Sequence, residues 1–366
     1  MRLIRLFISI WFVALPSFAE NVVLTNGTII DGTGKARVVG NLRIRDGKAA
    51  DIGPFRPTAA DMRLDVKGLI VAPGFIDLEN VSPAQFANNF ESRPIISKGV
   101  TTLILGSDGT GPYLIEEFMS PFDEKPPALN IAMRAGHSRI RRQIMGAEYK
   151  RAATTAEVGL MAELMRDAMR QGAFGLASDL RAEPASFSTA DELLSLAQAL
   201  NQFGGTLFAH PRDESMESIQ VLVDLARNAK APVQLSLDKI DPAVLAEMDK
   251  ARTQGVDVGA HLYPVTEPAR DLRTLLQNPL IAISFSQYLQ DDKGISLERA
   301  IQKLTALPAS RIALKERGVL RKGVPADIVV FNPMTLSQGM TYVFVNGTLV
   351  LKEGQPTDAR PGQALR

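Results

Sequence analysis

The sequence has no cysteine in 366 residues, only three histidines and a single tryptophan. The lack of cysteine excludes disulfide bonds, and it also excludes a thiolate as metal ligand or nucleophile. Charge of either sign is not in excess, with 41 lysines and arginines against 40 aspartates and glutamates. This balance gives no electrostatic basis for binding nucleic acid or an anionic membrane surface. The apolar fraction of 45% is that of a folded globular chain.

The first residues are typical of a secretory signal peptide. Arg2 and Arg5 give a positive start, residues 6–15 form an apolar run, and Ser-Phe-Ala at 17–19 matches a small-x-small cleavage site. The apolar run is shorter than the ~20 residues that a membrane-spanning helix needs. We therefore expect cleavage after Ala19, a periplasmic or secreted protein, and no integral membrane segment after cleavage. A single membrane anchor is the alternative.

Short β-like runs separated by turn signals occupy both ends of the mature chain. Residues 20–66 alternate apolar and polar residues, with an Asn-Gly turn signal at 26–27. Residues 315–366 repeat this pattern, with another Asn-Gly signal at 346–347. Neither end has enough strands to bury a core alone. We expect the two ends to form one small β-sandwich.

The middle of the chain, residues 67–314, has the alternating strand and helix pattern of a parallel α/β fold. Eight short apolar runs predict strands, and amphipathic helices separate the later ones. Residues 189–192 form a capping-box signal, for example, and Gly-Gly at 204–205 ends the helix that follows. The predicted strands cover residues 75–78, 101–106, 129–136, 173–178, 206–210, 233–237, 256–262 and 281–286. Such a pattern favours a (β/α)8 TIM-like barrel, with an open doubly wound sheet as the alternative.

Reactive residues of such a barrel lie at the carboxyl ends of its strands. All three histidines of the chain fall at predicted strand ends, at His137, His210 and His261. Each histidine alone would more often be a hydrogen-bonded structural residue, so their common placement is what indicates a site. The other polar candidates at strand ends are Asp77, Glu79, Asp108, Ser178, Asp179, Asp238 and Lys239.

Motifs spread over the whole chain resemble those of one known family. They are NGTIIDGTG at 26, VAPGFID at 71, GVTTLILG at 99, GHSRIRRQIMG at 136, GAFGLAS at 172, AHPRDE at 209, PVQLSLDK at 232, the long stretch from Leu304 to 333, and the tail from Gly339 to 366. With these motifs the chain resembles the amidohydrolase superfamily, and more narrowly its N-acyl-D-amino-acid deacylase (D-aminoacylase) family. The resemblance implies a hydrolase acting on carbon–nitrogen bonds other than peptide bonds.

The resemblance also implies a metal site, from which this sequence departs. The family's ligand positions on the first, second, fifth, sixth and last strands fall on Glu79, Val81, Asp108, His210, Leu237 and residues 284–286. Only His210 keeps the family's residue type. Glu79 and Asp108 could still bind a metal ion, whereas Val81 and Leu237 carry no ligand atom.

A rebuilt single-metal site is the one cofactor hypothesis that these residues leave open. Zinc takes about three protein ligands in such sites, lowers the pKa of its bound water to ~7 and polarises the scissile carbonyl. The candidate metal ligands are Glu79, Asp108, His210 and His261. The candidate catalytic residues are Asp77 and Lys239. No cofactor other than one zinc ion is expected.

Basic residues beside two of the histidines are candidates for binding a substrate carboxylate. Arg141 and His137 belong to the motif at 136, and Arg212 follows His210. The resemblance places these stretches near the substrate and the metal, and an arginine can hold a carboxylate by two parallel hydrogen bonds. The alternative is a salt-bridged loop network that supports the barrel mouth.

The apolar replacements favour an exported, metal-site-deficient homologue that acts in ligand binding or regulation. The alternative is an active hydrolase of amide bonds in N-acyl amino acids that uses the rebuilt site. A metal-free enzyme with Lys239 or His210 as base has no specific support, and a serine nucleophile lacks the G-x-S-x-G elbow. The implied ligand is a small molecule of the acylated amino-acid type.

Overall fold

The computed structural model describes residues 21–78, 82–88, 93–238, 241–262, 281–283, 295–334 and 339–366. For residues 85, 261–262 and 281–283 it describes the backbone only. The predicted signal peptide, the Glu79 and Lys239 candidates and the side chain of His261 therefore lie outside the described residues.

Both ends of the chain build one nine-stranded sheet. The N-terminal strands are β1 (Asn21–Ile29), β2 (Val38–Arg45), β3 (Lys48–Gly53), β4 (Asp61–Asp65) and β5 (Ile70–Pro73), and the C-terminal ones are β15 (Ile328–Phe331), β16 (Tyr342–Val345), β17 (Thr348–Lys352) and β18 (Gln355–Pro356). The order is β18-β17-β16-β15-β5-β1-β2-β3, with β4 beside β1. Strand β5 joins the two ends, because it pairs with β1 on one side and antiparallel to β15 on the other. The predicted β-domain made of both chain ends is confirmed.

The two Asn-Gly signals have different outcomes. Asn346 and Gly347 both have positive φ and form the tight turn between β16 and β17, as predicted. The turn expected at 26–27 is wrong: the two residues form an irregularity within β1, where the pairing register with β2 shifts. Asn26 keeps a left-handed conformation there, because its backbone and side chain bond to Asn41 and Asp65.

Eight parallel strands follow in the middle of the chain. They are β6 (Phe75–Asp77), β7 (Val100–Leu105), the interrupted strand β8 (Asn130–Met133) with β9 (Ala135–Gly136), β10 (Gly175–Asp179), β11 (Thr206–His210), β12 (Val233–Leu237), β13 (Val258–Leu262) and β14 (Ile281–Ile283). Strands β6-β7-β8 form one parallel sheet, and β9 to β14 pair in sequence order in another. Each of the eight predicted strands is present. The α/β barrel prediction is confirmed.

Helices connect the strands and cover the barrel. They are α1 (Pro83–Asn88), α2 (Arg93–Ile96), α3 (Ile115–Met119), α4 (Pro121–Glu124), α5 (His137–Met145), α6 (Thr155–Arg170), α7 (Ala190–Asn201), α8 (Met216–Ala229), α9 (Pro242–Thr253), α10 (Leu297–Leu304) and α11 (Ala306–Arg311). Among the described residues, none of the helices combines the length and the apolar character that a membrane crossing would need.

A separate apolar cluster fills the barrel interior. Alternate strand residues point inward, so that Ile76, Ile104, Ala132 and Phe208 meet from four different strands. Leu365 joins this cluster from the C-terminal segment. That segment lies beside β8, where the Leu365 N–H donates to the Ile131 carbonyl over 2.8 Å.

A buried polar network joins the sheet to the barrel. Asp327, just before β15, accepts hydrogen bonds from the Asn346 backbone (2.8 Å) and from Asn130 Nδ2 (3.0 Å), and it pairs with Arg317. Asn130 Oδ1 in turn accepts from Gln363 N over 3.1 Å. Asn130 begins the third barrel strand. The Asp327 carboxylate therefore connects the nine-stranded sheet, the barrel and the C-terminal segment.

Replacing Asp327 by alanine should destabilise the whole fold, because it leaves Arg317 buried without its carboxylate partner. Breaking a buried ion pair costs about 3–5 kcal/mol. We expect the free energy of unfolding in urea to fall by that amount. Asp358→Ala, at an exposed acid of the C-terminal segment, should stay within about 0.5 kcal/mol of the wild type. Equal stability of the two variants would contradict the role of Asp327.

Candidate functional site

His210 lies at the carboxyl end of the fifth barrel strand and is almost fully buried. It stands beside Asp179, its paired residue on β10, and 6% of its surface is exposed. Burial and the positive charge of Arg181 lower the pKa of His210, although the charges of Asp179 and Asp238 oppose that shift. The imidazole is therefore neutral near pH 7.

A salt-bridged group covers the mouth at the ends of the fourth and sixth strands. Arg181 Nε donates to Asp179 Oδ1 over 2.9 Å, and Arg181 Nη1 donates to Asp238 Oδ2 over 3.3 Å. Burial raises the pKa of Asp179, but the hydrogen bonds from Arg181 hold that pKa below its ordinary value. Glu214 extends the group by accepting from the Asp238 backbone over 2.7 Å. These contacts place a mostly acidic rim beside His210.

Asp108 lies in the turn after the second strand. Its two carboxylate oxygens accept from the backbone N–H of Thr110 (3.0 Å) and from the Thr110 hydroxyl (2.8 Å). The next residue, Gly109, has φ +68° and approaches β10 so closely that a Cβ would lie 3.1 Å from both the Ala177 carbonyl oxygen and the Asp179 nitrogen. The turn is thus pressed against the end of the fourth strand, and Asp108 stabilises it locally.

Arg134 interrupts the third strand between β8 and β9 and has no exposed surface. Its Nη2 donates to the carbonyl of Leu78 at the end of the first strand, and it lies 3.5 Å from the carbonyl of Ile104 on the second. The guanidinium carbon stands 4.3 Å from the ring centroid of Phe208 on the fifth strand. The barrel interior therefore ends in a permanent positive charge. The sequence motifs did not indicate a role for Arg134.

The described side chains alone do not make up the zinc site that the resemblance implies. Of the four predicted ligands, only Asp108 and His210 have described side chains. Among the described residues, no three His, Asp or Glu side chains form a group that could hold a metal ion. Leu237, at the sixth-strand ligand position, is 1% exposed and packs in the apolar core. The geometry of these side chains supports no reaction step through a metal ion. The predicted metal site stays a prediction.

The predicted substrate-binding pair, His137 and Arg141, belongs to a closed network. His137 Nδ1 lies 2.8 Å from Ser178 Oγ, and His137 Nε2 lies 2.8 Å from Glu192 Oε1. Arg141 pairs with the other oxygen of Glu192 and donates to the Tyr149 carbonyl over 3.0 Å. The side chains of His137, Arg141 and Glu192 have no exposed surface. These contacts fit a structural role in supporting the barrel mouth. A role in substrate binding stays a prediction.

Glu192 was missed as a site residue because its local pattern predicts a capping box. The Thr189 hydroxyl does accept from the Glu192 backbone over 3.2 Å. The Glu192 carboxylate, however, bonds to His137 and Arg141 rather than returning to the N-cap, so the reciprocal half of the box is wrong. Burial raises the pKa of Glu192, but hydrogen bonds and charge from these two partners keep it below its ordinary value. No signal within the local motif distinguishes the two roles.

The remaining predicted residues are separate from this network. Arg212 donates to the carbonyls of Ser186 and Ser188, and so holds the loop before α7. Asp77 is buried at the end of β6, with 1% of its surface exposed. Lys239 lies outside the described residues. Roles in substrate binding for Arg212 and in catalysis for Asp77 and Lys239 stay predictions.

A buried lysine was also missed. Lys303 of α10 is 2% exposed, and burial, together with the charge of Arg299, lowers its pKa to about 7. It lies on the helix face that also buries Ala300 and Leu304, so helical periodicity would have assigned an apolar residue there.

Comparison with known proteins first defines the class. An amidohydrolase family model matches residues 265–355. The crystal structure of N-acyl-D-glutamate deacylase from Bordetella bronchiseptica, complexed with zinc and a phosphonate inhibitor, superimposes with a TM-score of 0.86 at 25% identity, covering 95% of this chain and 100% of that one. D-hydantoinase shares the fold, with a TM-score of 0.72 at 16% identity over 94% of this chain and 98% of its own. The protein has the barrel and β-sandwich of an amidohydrolase.

The sequence relatives then narrow the class. D-aminoacylase of Alcaligenes xylosoxydans xylosoxydans is 26% identical over 472 aligned positions, covering 94% of this chain and 97% of the relative. N-acyl-D-glutamate deacylase of the same organism is 25% identical, covering 94% and 96%. Since 472 positions exceed the 366 residues of this chain, the relatives carry segments that this chain lacks. An amidohydrolase family model thus matches part of the chain, and nearly the whole chain is homologous to D-aminoacylase and other N-acyl-D-amino-acid deacylases, which confirms the family resemblance.

Replacing Glu192 by glutamine should lower the free energy of unfolding by about 3–5 kcal/mol, because Arg141 is then buried without a counter-charge. The folded-state pKa of Glu192 lies below the unfolded value of 4.5. Its stabilisation is therefore present above pH 4.5 and is lost as the pH falls through the folded-state pKa. Urea denaturation at pH 7 and below pH 4.5 measures both effects. The exposed neighbour Asp191 provides the control, and Asp191→Asn should change stability by no more than about 1 kcal/mol.

Replacing Lys303 by methionine should stabilise the fold most at low pH. The wild-type lysine has a pKa of about 7 when folded and 10.5 when unfolded, so its charged form opposes folding fully below pH 7. Between pH 7 and 10.5 the unfolded chain binds the extra proton, and wild-type stability rises with pH. The stability difference between Lys303→Met and wild type should therefore shrink from pH 6 to pH 10. A difference that does not change with pH would contradict the assignment.

Proposed function

We propose that this chain is an exported, metal-site-deficient homologue of the N-acyl-D-amino-acid deacylases that binds a small ligand without hydrolysing it. The observation that carries the proposal is Leu237. At the end of the sixth strand, where the family resemblance requires a metal-binding histidine, the chain buries an apolar side chain in its core. An apolar residue cannot coordinate a metal ion, and its packing makes the exchange for a polar ligand unfavourable.

The ligand class follows from the relatives. Proteins named D-aminoacylase and N-acyl-D-glutamate deacylase align with nearly the whole chain, so we infer a ligand of the acylated amino-acid type. The charged rim of Asp179, Arg181 and Asp238 beside His210 supplies polar contacts for such a molecule. We infer that this ligand binding, or regulation through it, takes place outside the cytoplasm. The amino-terminal pattern of residues 2–19 supports export.

A second candidate is an amide hydrolase with a rebuilt single-metal site. The observation in its favour is His210, which burial and Arg181 keep neutral, because a metal ion binds the neutral imidazole. Asp108, Glu79 and His261 would be its partners. This candidate requires one zinc ion per chain and release of a free D-amino acid, and the first candidate requires neither.

Metal content and turnover together decide between the two candidates. The mature protein is purified without chelator or metal-affinity step, and its zinc is measured by elemental analysis before and after incubation with zinc. We expect less than about 0.1 zinc per chain, a rise in Tm with a panel of N-acetyl-D-amino acids, and no release of free amino acid. The stability of Leu237→Asn, which places a polar group in the apolar core, is measured beside that of the wild type.

Stoichiometric zinc that is lost in His210→Ala, together with hydrolysis, would replace the first candidate by the second. Mass spectrometry of the exported protein tests the first part of the proposal, because cleavage after Ala19 gives a mature chain that begins at Glu20.

A further inference from the structure

A pocket lies between the helices beside the barrel, apart from the barrel mouth. Its volume is about 470 Å³, within the size range of small-molecule sites. Helices α1, α3, α4 and α5, together with the loop that leads into α3, provide its walls. Neither His210 nor the charged rim beside it belongs to the described lining of this pocket. The pocket is therefore a second candidate binding site.

One wall of the pocket is apolar and largely aromatic. Tyr113 and Leu114 come from the loop before α3, Phe118 comes from α3 and Phe122 from α4. The rings of Phe118 and Phe122 pack with their centroids 5.7 Å apart. Leu114 has 43% of its surface exposed, so this wall is in part open to water. Covering it with an apolar side chain of a ligand is favourable, because apolar surface then loses its contact with water.

Two charged side chains line the same pocket from different helices. Arg139 lies on α5, on the face opposite to the one that buries Arg141, and Glu117 lies on α3. Among the described residues, neither the Arg139 guanidinium nor the Glu117 carboxylate has an ion-pair or hydrogen-bond partner. Gln143, one turn beyond Arg139 on α5, adds an amide that can donate and accept hydrogen bonds. The pocket thus offers one partner for an anionic group of a ligand and one for a cationic group.

These two charges restrict the ligand. Arg139 and Glu117 are the charged side chains of the described lining, so the pocket is neutral overall. A ligand with a carboxylate alone would pair with Arg139 but be repelled by Glu117, and an amine alone would meet the opposite combination. A molecule that carries both groups satisfies both residues through charge-assisted hydrogen bonds. The apolar wall adds a preference for a large aliphatic or aromatic side chain.

We propose that this pocket binds a zwitterion with an apolar side chain, namely a free amino acid or a short peptide. The ligand's carboxylate pairs with Arg139, and its ammonium group pairs with Glu117. This second site goes beyond the proposed function and does not depend on it. The N-acyl amino acids proposed for the barrel mouth carry no ammonium group, so the two sites differ in the ligands that they bind.

The test measures ligand binding to the full mature chain by isothermal titration calorimetry. The ligands are both enantiomers of phenylalanine, the dipeptide alanyl-phenylalanine, alanine, which lacks the ring, and N-acetyl-phenylalanine, which lacks the ammonium group. The variants are Arg139→Met and Glu117→Gln. Arg142→Met is the matched control for the first, because the Arg142 guanidinium lies over the Tyr149 ring, 4.7 Å from its centroid. Glu116→Gln is the control for the second, since Glu116 is exposed and does not line the pocket.

We expect the wild type to bind phenylalanine or alanyl-phenylalanine, and to bind alanine about tenfold more weakly or less, because alanine cannot cover the apolar wall. Arg139→Met and Glu117→Gln should each weaken the binding of the zwitterions by about tenfold or more, since each removes a charge-assisted hydrogen bond. Both controls should bind like the wild type. Any binding of N-acetyl-phenylalanine at the barrel mouth should be the same in all four variants.

Three results would overturn the proposal. They are no binding of either zwitterion at about 10 mM, unchanged binding in Arg139→Met or in Glu117→Gln, and an equal loss of binding in the two controls. Arg139 and Glu117 are exposed, so their replacement should leave Tm unchanged, and a loss of binding then reports on the pocket. The tighter of the two zwitterions shows whether the site takes an amino acid or a peptide. A failure of N-acetyl-D-amino acids to bind would contradict the proposed function alone.

Discussion

A positive charge inside a parallel barrel is the constraint on which the mouth of this molecule depends. Moving a charged group from water into the interior of a protein costs several kcal/mol even after the protein relaxes. Arg134 offsets that cost with carbonyl oxygens at two strand ends and with the face of Phe208. Burial first, then the charge of Arg181 and to a smaller extent that of Arg134, lower the pKa of His210 and so favour its neutral form. The buried arginine thus connects three strands beneath the mouth of the barrel.

The rest of the barrel mouth is stabilised by charged side chains that pair with one another. Glu192 is shared between His137 and Arg141, and Arg181 is shared between two aspartates. Of the two roles open for Arg141, the contacts fit the salt-bridged support, because its donors are already directed at a carboxylate and at main-chain carbonyls. Arg141 therefore has a structural role at the mouth that requires no bound substrate.

Sequence patterns predicted the framework better than the site. The eight strands were predictable because each is a short apolar run bounded by turns or helix caps, a local property. The role of Glu192 was not, because the same Thr-x-x-Glu spacing serves a helix cap or a partner 55 residues away. Arg134 was overlooked for a similar reason: a single arginine at a strand end does not reveal whether its side chain turns inward. Local patterns predict elements, whereas burial and long-range partners decide what a charged residue does.

The C-terminal segment completes both parts of the fold. Leu365 packs into the barrel interior, Gln363 bonds to Asn130 of the third strand, and strands β15 to β18 supply one side of the sheet that β1 and β5 begin. The ribosome makes these residues after the whole barrel. A nascent chain therefore carries an exposed sheet edge and an incompletely filled barrel until translation reaches this segment.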